Sequence, residues 1–206
     1  MAETVSHESG PAAQAEAASH KERTRARILD EAARAMRESG AEGISVAALM
    51  KRAGLTHGGF YAHFASRDDL VAHAIDRMFR DSKMILALKA SAADPKTGLA
   101  TLIESYLSDR ARAAPGTNCA LPALASEAGR LPEAARARFA AGIARFQAAI
   151  AESIAAIGKD EPEMLAASVL AEMVGAMALA RSMDDDAAAS TMLAASRQRL
   201  KERLGV

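Results

Sequence analysis

Gly54-Leu55-Thr56-His57-Gly58-Gly59-Phe60-Tyr61-Ala62-His63-Phe64 sets small-residue turns around a very short helical segment, and its reading decides the fold. Upstream, Ser45 can cap a helix in which Val46, Leu49, Met50 and Ala53 recur at helical spacing. Gly54 then tolerates the positive φ that ends a helix. Thr56 is expected to cap a second helix, on which Phe60 and Phe64 face inward while His57, Gly58, Tyr61 and His63 face out. Two short helices joined by a turn of about 3–4 residues form a helix-turn-helix, whose second helix enters the DNA major groove.

Beyond Phe64, Ser66 and Asp69 have capping-box spacing, and Asp68 and Asp69 favour the positive end of a helix dipole, so a further helix leaves here. With these residues in place, the stretch from Ile28 to Val71 resembles the DNA-binding domain of the TetR family of transcriptional regulators. That family's signature reads Gly-hydrophobic-Ser/Thr-x-Gly-x-Leu/Phe-Tyr-x-Tyr/His-Phe-x-Ser-Lys/Arg-Asp/Glu, and Gly54 to Asp68 match almost every place. The resemblance implies an all-α fold, with an N-terminal three-helix DNA reader and a C-terminal helical domain for ligand binding and dimerisation. It further implies a homodimer on a palindromic operator in double-stranded DNA, most simply a repressor released by a small apolar or thiol-reactive effector. An activator of the same fold is the alternative.

Within this reading, Thr56, Tyr61 and His63 carry donors suited to phosphate oxygens, which position a protein without reading sequence. His57 and the backbone of Gly58 and Gly59 can approach base edges. The Gly59 place often carries a small hydroxyl or methyl side chain in the family, so base readout here leans on His57, Thr56 and DNA shape. Lys21, Arg23, Ser45 and Arg67 complete the expected DNA contacts. The whole chain is electrically neutral, with 26 Lys and Arg against 26 Asp and Glu, which argues against a sequence-indifferent DNA-coating protein. Between His20 and Arg67, however, the basic residues at 21, 23, 25, 27, 34, 37, 51, 52 and 67 outnumber the acids at 22, 30, 31, 38 and 42. A locally basic head on a neutral chain suits phosphate contact.

The chain has 206 residues, half of them hydrophobic and only 3% aromatic, and no segment alternates like a strand. One cysteine excludes an internal disulfide and fits a reduced, cytoplasmic setting. Residues 1–19 read as a disordered arm without the marks of a secretory signal. Residues 20–66 read as the DNA-binding domain and 67–93 as a connecting helix able to act as a lever. Residues 94–206 read as the ligand-binding and dimerisation domain, opening at Asp94-Pro95. Its expected helices run from about Thr97 to Ala113, Pro122 to Gly129, Pro132 to near Gly158, Pro162 to about Met183, and from Asp184 to the end.

The stretch Leu165 to Ala180 is interrupted by Ser168 and Glu172 and falls short of the ~18 apolar residues of a membrane span, so no membrane partner is expected. Its stripe of Leu165, Val169, Met173 and Met177, with small Ala171, Gly175 and Ala178, suits either the subunit core or a four-helix dimer contact. Tyr106, Phe139, Phe146, Met173 and Met177 are candidates for an apolar ligand cavity, although such spacing also serves a core. Cys119 precedes a helix whose N–H groups would favour a thiolate, which gives it either a sensing role or that of a small buried hydrophobe. Every histidine precedes residue 74 and no base is placed beside Cys119, so catalysis by a cysteine nucleophile has no support, and no cofactor or metal site is expected.

Overall fold

The computed structural model describes residues 11–43, 45–80 and 82–206. Among them the order is α1 (Pro11–Ser39), α2 (Val46–Arg52), a 3₁₀ segment (His57–Ala62), α3 (Arg67–Arg80), α4 (Lys83–Ala90), α5 (Pro95–Tyr106), α6 (Asp109–Ala113), α7 (Leu121–Leu124), α8 (Glu133–Ala156), α9 (Pro162–Arg181) and α10 (Asp186–Leu204). Short 3₁₀ turns flank α7, and no strand occurs among the described residues. The all-α expectation holds.

Several boundaries differ from the sequence reading. Helix α1 starts at Pro11, so residues 11–19 of the expected disordered arm are helical. Low apolarity suggested disorder, but Pro at a first turn followed by Ala, Gln and Glu is sufficient for a helix. Residues 1–10 of that arm lie outside the described residues. The single connecting helix expected over 67–93 is two, because Ser82 is an N-cap whose hydroxyl accepts from the Ile85 N–H at 3.4 Å. Likewise Ser108 caps α6 and splits the helix expected from Thr97 to Ala113. Such caps contribute about 0.5–2 kcal/mol, enough to move a break to a polar residue inside an otherwise periodic stretch.

Other caps fall where the sequence puts them. Ser45 accepts from the Ala48 N–H at 3.2 Å. Ser66 accepts from the Asp69 N–H at 3.1 Å, while the Asp69 carboxylate accepts from the Ala65 N–H at 3.1 Å. Asp185 opens α10 by accepting from the N–H groups of Ala187 and Ala188.

One continuous core joins the head to the body. Ile28, Ala32 and Met36 of α1 are buried with Leu49 and Met50 of α2, and the same cluster runs through α3 into α8, α9 and α10. Helix α3 packs against α1 on one side and α8 on the other, and an Arg138–Asp76 ion pair ties α8 to α3. Phe79 of α3 meets Phe139 of α8 edge-to-face, with ring centroids 5.8 Å apart. A second join is polar. The Ala41 N–H donates to the Glu127 carboxylate at 2.8 Å, and the Ala41 carbonyl accepts from Arg67 Nη2 at 2.5 Å. Gly40 beside it has φ +78°, and a Cβ there would fall 2.0 Å from Glu127 Oε1. By length and composition α9 could cross a membrane, although its sequence seemed too short for that, but it packs between α8 and α10 with Ala166, Val169, Met173 and Ala180 buried.

Candidate nucleic-acid interface and effector cavity

The segment after the Gly54 turn is a six-residue 3₁₀ helix, where the sequence suggested an α-helix. Two consecutive glycines weaken α-helical preference, and Thr56 contributes an extended backbone with no side-chain cap. The Thr56 hydroxyl therefore stays on the surface instead of serving the helix start. Gly54 itself adopts φ +68°, as the turn requires. Phe60 and Phe64 are 1% and 2% exposed and stack at 5.6 Å, anchoring the segment to the core.

Outward from this anchor stand Thr56, His57, Gly58 and Tyr61, all exposed, with Gly59 half-buried. Tyr61 is 69% exposed and braced edge-on against Phe60, with centroids 5.2 Å apart. An aromatic hydroxyl held outward on a rigid ring is a directed donor. His63 differs from the expectation that it faces out: it is half-buried, and its Nδ1 is buried without a partner. Burial holds its pKa below the ordinary histidine value, helped by Lys21, Arg25 and His20. Those neighbours place the basic first half of α1 beside the 3₁₀ segment.

Arg25, not singled out from the sequence, belongs to this surface: its guanidinium lies 4.9 Å from the Phe64 ring centroid. Its i, i+4 spacing from Lys21 was the signal available. Lys21 is exposed, and Arg23 is also exposed with Nη1 donating to Ser19 Oγ at 2.5 Å. Two expected contacts have structural duties. Ser45 caps α2, and Arg67 holds the Ala41 carbonyl and pairs with Glu42 at 3.5 Å. Arg67 is thus engaged at the head–body join and does not stand on the exposed face with His57 and Tyr61.

A cavity of about 280 Å³ lies where α1, the α3–α4 break, α8 and the 115–120 loop meet. Its apolar floor comprises Met78, Phe79, Met84 and Phe146, and Arg37, Lys83, Asn118 and Cys119 stand around it. Of the sequence candidates, Cys119 and Phe146 line this space, while Tyr106 and Met177 line a tight extension behind Cys119. Phe139 and Met173 line neither; they are buried in the packing between helices. Met78, Met84 and Lys83 were missed because the break at Ser82, which turns them towards the cavity, was read as continuous helix. The expected thiolate at Cys119 is not favoured: burial pushes the thiol up, outweighing the Leu121 N–H that would lower it. Part of the residue still reaches solvent although its sulfur lies inside.

The architecture is that of a helix-turn-helix head fused to a helical body with an internal cavity. Residues 28–74 match the family model described as bacterial regulatory proteins, tetR family. The family match is confined to that N-terminal region, and the whole chain shares the fold of solved TetR-family structures. A TetR-family transcriptional regulator from Agrobacterium tumefaciens superposes with a TM-score of 0.76 at 22% identity, covering 89% of this chain and 98% of that one. The E. coli NemR reduced form gives 0.74 at 18% identity, covering 87% and 96%. A TetR transcriptional regulator from Legionella pneumophila gives 0.73 at 16% identity, covering 96% and 99%. No curated protein matches the chain by sequence.

Proposed function

We propose that the protein is a sequence-specific DNA-binding transcriptional regulator, a homodimer and most simply a repressor, released from its operator by a small effector. The observation that carries this reading is the exposed face of His57, Gly58 and Tyr61, set on buried Phe60 and Phe64 with Lys21 and Arg25 alongside. A short helix alone discriminates weakly, and two heads about 34 Å apart would read successive major-groove turns. Support for a second copy comes from α9, where Met164 and Leu179 are 63% and 56% exposed and a Cβ on Gly175 would meet nothing within 4 Å. The cavity supports effector control, because its lining includes Arg37 of α1 and both ends of the α3–α4 break. A ligand that fits one arrangement of these helices better shifts the population towards it, and the head moves with them.

Fluorescence anisotropy with duplexes tiling the DNA around its own gene, against excess random duplex at about physiological salt, tests the proposal. Tight binding to a two-fold symmetric stretch is expected, whereas equal, weak binding to every duplex would overturn it. Transcription from that site then separates repression from activation. In the same assay Tyr61→Phe should weaken all duplexes alike by about ten-fold, the value of one charge-assisted hydrogen bond. His57→Ala should also relax sequence preference.

A thiol-reactive effector is the second reading, favoured by Cys119 lining the cavity. Under it, Cys119→Ser leaves DNA affinity unchanged and removes any release by electrophiles. Release that persists in the variant rules it out.

A further inference from the structure

Three adjoining spaces meet at Met84 and Asn118: the cavity of about 280 Å³, another of about 250 Å³ between α4 and α5, and the tight extension behind Cys119. Their linings carry three cations, Arg37, Lys83 and Arg181, and no carboxylate among the described residues. The deepest part is also the least satisfied. Tyr106 is 2% exposed, and its hydroxyl has only the Cys119 thiol, a weak partner, beside it. Arg181 donates through Nη2 to the Ala111 carbonyl at 3.1 Å, yet its Nε and Nη1 are buried with no partner.

Buried donors without acceptors are costly, and a buried guanidinium, which keeps its charge, is most costly of all. Burial pulls the Arg181 pKa down and pushes that of Tyr106 well up, so the phenol stays a neutral donor. An oxyanion is the ligand head that relieves both at once, since it accepts from O–H and N–H and compensates the charge. The other end of the space is apolar and modest in size, near the small limit of about 300 Å³ for ligand sites. The extension behind Cys119 has no open volume, so a head group enters only as Met84, an unbranched and flexible side chain lining both spaces, yields to it.

We propose that the cavity takes a small organic anion, a carboxylate on an apolar body, with its head on Arg181 and Tyr106 and its body against Met78, Phe79 and Phe146. This rests on reading the protein as an effector-controlled regulator and names the chemistry of the effector. Cys119, between head and body, contributes a neutral S–H and small volume.

The test is thermal unfolding and ligand-observed NMR of the free full-length protein with benzoate, hexanoate and octanoate, each against its amide at matched ionic strength. The carboxylates are expected to bind and raise the melting temperature, and the amides to do so far less. Arg181→Met should abolish the preference and Arg181→Lys should restore part of it. Tyr106→Phe, which removes one oxygen and keeps the packing, should weaken the carboxylates by roughly ten-fold while leaving the amides unchanged. Amides that bind as well as carboxylates, an unchanged preference in Arg181→Met or Tyr106→Phe, or no binding by any carboxylate would overturn the assignment. Because binding is read without DNA, those results leave the regulator reading standing, while loss of selective DNA binding in the same preparation strikes that reading alone.

Discussion

Gly58→Glu is expected to lower DNA affinity by at least about a hundred-fold while the protein unfolds as before. A Cβ at Gly58 would meet nothing within 4 Å, and Gly58 is not among the positive-φ glycines, so a side chain is tolerated without strain. Surface substitutions of this kind change stability by no more than about 0.5 kcal/mol. If this face docks against phosphates as proposed, a carboxylate there brings like charges together at a cost of several kcal/mol, and each 1.4 kcal/mol is about ten-fold in affinity. The separation of effects is the informative part. Anisotropy should report the loss and denaturant titration should report none; intact binding would mean that another surface meets DNA. Gly59 gives a weaker version of the same test, because a Cβ there would already touch Thr56 Oγ1 at 3.7 Å and Met50 Cε at 3.8 Å.

Gly142→Ala should act the other way, on stability first. In a helix interior this change ordinarily gains up to about 1 kcal/mol. Here α8 passes so close to α3 that a Cβ would sit 2.2 to 2.4 Å from the Phe79 ring. Phe139 blocks the ring edge-on on one side, so what room it has lies towards the cavity. Overpacking of this kind costs about 1–3 kcal/mol, or roughly 2–4 °C of melting temperature per kcal/mol in a chain of this size. A rise in melting temperature would contradict the close approach of α8 to α3. The variant has a second consequence, because Phe79 also lines the cavity: any displacement that relieves the clash reshapes the floor on which an apolar ligand body would rest.

Local chemistry was the legible part of the sequence. Ser45 and Ser66 cap the helices they were expected to cap, although Thr56 does not, and Phe60 and Phe64 anchor the reading segment, because caps and i, i+4 pairs act within one turn of chain. The 3₁₀ form of His57–Ala62 was missed because it is a compromise between weak local preference at two glycines and the packing of distant aromatics. Arg67 was read only as a DNA contact because sequence neighbours were the only ones visible; its structural partner, the Ala41 carbonyl, is 26 residues away. The cavity was half legible for the same reason. Tyr106, Cys119, Phe146 and Met177 were named, but Arg181 joins Tyr106 only when α5 and α9 are laid side by side, and no spacing in the chain encodes that distance.

The Ala41 peptide, held by Glu127 on one side and Arg67 on the other, bears on where this chain can be divided. Cutting between α4 and α5 would yield a head that keeps the exposed His57, Gly58 and Tyr61 but loses the carboxylate that takes up the Ala41 N–H. The same cut strips α8 from α3 and leaves Phe79 without Phe139 and Asp76 without Arg138. Such a fragment would carry the full lettering of a DNA reader on a frame that no longer closes, so a chimera built from this head would need its body, or a substitute for it, to inherit the specificity.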